Sequence, residues 1–93
     1  MGACDFMTRA SGDTPAEAFR KAVADAKHEH GHRGYTGTIA EKHSFRMVTP
    51  RPGETPYDCA NRLLDADEFD KYGDAGCINV EDGVYLFFGW ASS

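Results

Sequence analysis

The side chains able to bind a metal crowd into "HEHGHRGYTGT", residues 28 to 38. His28, His30 and His32 alternate there, and Glu41 and His43 follow in the next segment. Neutral imidazole and carboxylate are ligands for a four-coordinate zinc ion. The candidate ligands are His28, His30 and His32, with Glu41 and His43 alternating onto one side of the next extended segment. His28 and His32 share a face only if a helix persists past Gly31, whereas His30 and His32 converge if the chain is extended. "HEH" lacks the H-E-x-x-H spacing of a zinc hydrolase. A zinc ion here is therefore expected to be structural, and in a domain this small one ion can supply much of the folding free energy.

Other chemistry is weaker. "GHRGYTGT" has glycines, Arg33 and two threonines, but no Lys-Ser/Thr pair, and it follows a helix instead of opening one. That disfavours a phosphate loop. Cys4, Cys59 and Cys77 are odd in number and include no C-x-x-C pair, so they read as buried thiols, any one of which can complete a metal site. Glu41 and Lys42 are either an acid/base pair or a surface pair on alternate sides of a strand. Nothing assembles a nucleophile, a base and oxyanion donors, so an enzyme is not indicated.

Charge is unevenly spread. Residues 1–53 hold eight Lys/Arg and six Asp/Glu, whereas residues 54–93 hold two and nine, so a half at +2 precedes a half at −7. An acidic half is the opposite of a nucleic-acid footprint and suits a basic protein surface. "DADEFDKYGD" gathers Asp65, Asp67, Glu68 and Asp70 around Phe69 and Tyr72. Acidic groups with aromatics between them fit a basic groove.

The elements that position these residues follow from pattern. A chain of 93 residues predicts one domain, 1–93. "ACDFMTRA" alternates as a first strand. "TPAE" starts a helix with Thr14 as cap and Pro15 at the first position, running to about His30 with Phe19, Val23, Ala26 and His30 on one stripe. "YTGTIA" and "SFRMV" read as extended, either one hairpin or one long bent strand. "TPYD" repeats the cap at Thr55 for a second helix to about Tyr72, burying Ala60, Leu63, Leu64 and Phe69. "AGCINVEDGVYLFFGW" is a hairpin turning at "EDG" with Gly83 at positive φ. Its last strand is apolar on both faces, with Tyr85 and Phe87 on one of them. One face covers the helices, and the other lies under a loop or forms a contact surface for a homodimer. The order β-α-β-α-β-β predicts an α+β fold of two layers, with a mainly antiparallel sheet of about four strands. No apolar run spans a bilayer and no signal-peptide pattern opens the chain, so the cytoplasm is the expected compartment.

At "HGHRGYTGTIAEK", residues 30 to 42, the chain resembles a family of small proteins encoded by phages and other mobile elements. The opening "MGACDF", the helix end "EHG" and the closing "YLFFGWAS" extend the resemblance over nearly the whole chain. It implies an anti-defence role of the anti-CRISPR type: stoichiometric inhibition of a host nuclease in the bacterial cell, without direct nucleic-acid binding. The shared block contributes His30, Gly31, Gly34, Tyr35, Thr36, Gly37, Thr38, Glu41 and Lys42, while His28, His32 and His43 fall where the family varies. The resemblance thus favours His30 with Glu41 over a three-histidine site. The alternative reading is a metal-dependent hydrolase or small-molecule binder centred on that pair.

Overall fold

Two Thr-Pro pairs set the helices. In the computed structural model, which describes residues 3–30, 38–66, 68–69 and 73–92, α1 spans Pro15–His30 and α2 spans Pro56–Asp65. Thr14 Oγ1 accepts the N–H of Glu17 at 3.1 Å, and Thr55 Oγ1 accepts that of Asp58 at 3.1 Å. Each hydroxyl satisfies a donor the first helical turn leaves open. Both starts fall where the sequence predicts them.

Four strands make one sheet: β1 Ala3–Ser11, β2 Phe45–Met47, β3 Ala75–Glu81 and β4 Val84–Ser92, in the order β1-β4-β3-β2. β4 is antiparallel to both neighbours, and β2 runs parallel to β3. The fold is α+β with a mixed, mainly antiparallel sheet and a β3–β4 hairpin. Asp82 and Gly83 make the hairpin turn, with Gly83 at φ 73°. This conformation costs other residues a Cβ clash.

The layers differ from expectation. α1 packs on β1 and β4 with Phe6, Ala75, Cys77, Tyr85 and Phe87 beneath it, while α2 covers Ile78, Leu86 and Phe88 on the opposite side. Each helix takes its own face, so the sheet is sandwiched and the two-layer expectation is corrected. The path explains it. The connection through α1 travels from β1 to β2 at the far edge, and that through α2 comes back from β2 to β3. Crossovers of one hand reverse face when they reverse direction. It also corrects the homodimer surface read from β4: Tyr85 is 8% exposed and Phe87 0%, both beneath α1.

Aromatic contacts mark both cores. Phe19, Phe45 and Phe87 close a triangle with centroids 5.2 to 5.8 Å apart, tying α1 to β2 and β4. On the other face Phe69 meets Phe88 edge-on at 5.0 Å, and the Arg46 guanidinium lies 4.5 Å from the Phe69 centroid. The Phe88 ring lies over Gly76, its cross-strand partner, and fills the place a Cβ there would occupy.

Two element expectations need correction. "YTGTIA" was expected to be extended. Its described part turns into a 3-10 helix at Ile39–Glu41, started by Thr38 Oγ1 accepting the Ala40 N–H at 3.2 Å. This turn drives Ile39, 1% exposed, into the α1-side core. α2 ends at Asp65, well short of Tyr72. After Leu64 the next stripe position is Glu68, which offers nothing apolar to bury. The Ala66 and Glu68 N–H groups donate to the Arg62 and Leu63 carbonyls, and the chain turns Phe69 into the core.

Candidate functional site

The buried stripe of α2, Cys59, Ala60 and Leu64, dictates what the helix shows to solvent. Tyr57, Asn61 and Asp65 fall four apart on the outer side with Asp58 beside them, and all four are exposed. Tyr57 is 42% exposed, one of two large hydrophobic side chains in the open among the described residues. Glu68 is exposed just past the helix end. Its carbonyl accepts from Arg46 Nη2 at 3.3 Å, which fixes the backbone there.

Arg62, the one cation in the α2 sequence, does not neutralise this face, because Glu54 engages it. Nε and Nη2 reach the two carboxylate oxygens at 2.8 and 3.0 Å, and the Arg51 N–H adds a bond to Oε1 at 2.9 Å. The guanidinium first, and then the Arg51 amide, hold the Glu54 carboxyl down at about 2. The clamp folds the 51–54 turn onto α2 and leaves Asp58 and Asp65 without a cation from their own helix, while Arg46 of β2 lies beside Glu68.

The opposite face is mixed in charge. A groove of about 410 Å³ runs between α1 and the 3-10 turn, lined by Phe19, Arg20, Val23, Lys27, Lys42 and His43. Lys42 is 3% exposed, and its Nζ donates to the Gly73 carbonyl at 3.0 Å. It is not a surface residue, and Glu41 beside it lies in a 3-10 turn, so the reading of Glu41–Lys42 as a surface pair on a strand is corrected.

His28 is exposed on the last turns of α1, and Glu41 is half-buried in the 3-10 turn. His30 closes α1 as a backbone position. The side-chain roles expected of His30, His32, Asp67, Asp70 and Tyr72 lie outside the described residues, as do Gly31 through Gly37. Asp65 and Glu68 are exposed, as a partner surface needs. The cysteines cannot act together: Cys4 is exposed on β1, Cys77 is buried under α1, and Cys59 is buried under α2 on the other face. Burial pushes the Cys77 thiol up to about 12. Burial, then the Glu54 charge, raises Cys59. Both are poor nucleophiles.

Among the described residues no three His, Cys, Asp or Glu side chains gather closely enough to hold a metal ion, and no helix is long and apolar enough to cross a membrane. Sequence reasoning missed Tyr57 and Asp58. The signal was present, because a stripe at 59, 60, 63 and 64 assigns 57, 58, 61 and 65 to the outside. Compared with protein-family models, curated proteins and solved structures, the chain matches none.

Proposed function

We propose that the protein is a small stoichiometric inhibitor of the anti-defence kind, which lays its α2 face over the basic channel of a host nuclease such as a CRISPR effector. The observation that carries this reading is the exposed acidic set Asp58, Asp65 and Glu68 around Tyr57, on and just past a helix whose only cation is engaged by Glu54. The phage-family resemblance of the 30–42 block supports it, and the proposal also takes in Asp67, Asp70 and Tyr72 from the sequence. Complementary charge gives such a partner both speed and register. A structural zinc on His30 and Glu41 belongs to the same proposal, since α1 and the 3-10 turn pack together.

The test is titration of the protein into DNA-cleavage reactions of purified CRISPR effectors at two salt concentrations. We expect inhibition complete at one chain per effector. Reversing Asp58, Asp65 and Glu68 to lysine should weaken it at least about tenfold and flatten its salt dependence. Unchanged inhibition by the reversed variant sinks the assignment of this face. Elemental analysis of untagged protein beside His30→Ala reads the zinc: one ion per chain, lost in the variant, is the expected result.

A further inference from the structure

β1 is an edge strand. Natural edges are shortened, bulged, broken by proline or charged to prevent strand pairing, and of these devices β1 carries only charge, one residue of each sign, Asp5 and Arg9. β1 runs nine residues, contains neither Pro nor Gly, and pairs with β4 in one unbroken register from Ala3↔Ser92 to Ser11↔Val84. One step past that register the Gly12 N–H donates to the Gly83 carbonyl at 3.0 Å. Hydrogen-bonded pairs alternate along an antiparallel ladder. The backbone groups of Ala10, Thr8, Phe6 and Cys4 are therefore used on β4, and those of Ala3, Asp5, Met7, Arg9 and Ser11 point outward, away from the sheet. Asp5 and Arg9 are exposed, and among the described residues neither side chain is held by an ion pair or hydrogen bond; the Asp5 carbonyl accepts from the Cys4 thiol at 3.5 Å.

This outward set is complementary to itself. Lay a second β1 antiparallel to the first about a twofold axis through Met7. Met7 then faces Met7 of the other copy, Asp5 faces Arg9, Arg9 faces Asp5, and Ala3 and Ser11 face each other. All are positions whose backbone groups point outward, so each is a hydrogen-bonded pair. Moving the axis to Asp5 or Arg9 sets like charges together, and moving it to Phe6 or Thr8 leaves the charges unmatched. Charge thus selects one register.

Among the described residues the surroundings leave room for it. Asp5, Met7 and Arg9 lie on the α2 face of the sheet, where Met7 rests partly buried against the core, but α2 itself packs on β3 and β4. On the other side a groove of about 350 Å³, lined by Thr8 to Ser11 with Lys21 and Asp25 of α1, lies beside the outer half of the edge. A twofold axis normal to the sheet keeps both copies of α1 on one face and antiparallel.

We propose that the occupant of this edge is a second copy of the chain, joining two four-stranded sheets into one continuous sheet through β1. The proposal does not depend on the inhibitor reading, since it uses the opposite edge of the sheet from β2 and none of the α2 residues.

Sedimentation of the untagged protein from micromolar to millimolar concentration tests it, with circular dichroism to confirm folding. A monomer–dimer equilibrium is expected. Asp5→Arg alone and Arg9→Asp alone should each raise the dimer dissociation constant about tenfold, because two opposite-charge cross-strand pairs become like-charge pairs. The double variant Asp5→Arg/Arg9→Asp restores both pairs and should restore the wild-type constant. Met7→Cys in a Cys4→Ser background should be joined into a covalent dimer by a short bis-maleimide, since the two position-7 residues face each other across the axis with Cα atoms about 5.5 Å apart. A monomer at every concentration overturns the proposal. So does a dimer that both single reversals leave unchanged, that the double variant fails to restore, or that does not cross-link through position 7.

Discussion

Glu54 sits in a Pro-Gly-Glu-Thr loop, yet it is the carboxylate whose ionisation folding alters most clearly among the described residues. Its carboxyl is held at about 2 against an ordinary 4.5, by Arg62 first and the Arg51 amide second. A folded value below the unfolded one means the unfolded chain binds the proton more readily. The clamp's contribution is therefore complete above about 4.5 and is lost as pH falls toward 2. Melting temperatures of wild type and Glu54→Gln should differ by a constant amount at neutral pH, converge through that window, and meet at its acid end. Thiol accessibility follows from the same local reading. In the native protein Cys4 alone should react rapidly with a thiol reagent, and Cys59 and Cys77 only on unfolding, as a titration with and without denaturant would show. None of these partners is readable from one residue and its neighbours. Arg62 lies eight positions from Glu54, and Lys42 finds the Gly73 carbonyl 31 positions on. Lys42 read as a surface residue because its burial is decided entirely by that distant loop.

Elements were legible where a short-range rule governs them. Thr-Pro caps and the Asp-Gly turn act within four residues, and both helix starts and the hairpin came out as read. The end of α2 did not, because it is set by the pull of Phe69 toward Phe88 on another strand. Nor did the 3-10 turn, since its reward is burial of Ile39 under α1. Gly76 is the sharpest case of an element constrained from outside. In sequence it is one glycine in a strand; in the sheet it is the floor beneath the Phe88 ring. Gly76→Ala should cost about 1–3 kcal/mol, the usual penalty for overpacking, in urea unfolding. Adding Phe88→Leu should recover part of that loss, as a double-mutant cycle would reveal through a coupling term.

At the scale of the whole molecule, the two-faced hydrophobicity of β4 was readable and its meaning was not. A strand apolar on both sides must be covered on both, but periodicity does not say whether helix, loop or second copy does the covering. The reversal of crossover direction decides it, and that depends on strand order. The candidate site divides along the same line. Acidic residues were visible as a cluster, and Asp65 and Glu68 are indeed exposed. Tyr57 and Asp58 join them only once α2 is known to present its back to solvent, and the histidine group has no described geometry beyond His28, His43 and the positions of His30 and Glu41.

The order β1-β4-β3-β2 also bears on how the chain comes off the ribosome. β4 is translated after β1, β2, β3 and both α-helices, yet it lies between β1 and β3, which do not pair with each other. Until its residues emerge, β1 has no strand to join and Phe6 no sheet to rest on. Unpaired strands and exposed aromatics are what make a partly made chain prone to aggregate. Vectorial synthesis therefore delays closure to the last segment, and a nascent chain stalled before Val84 would present the longest strand of its N-terminal half with both edges bare.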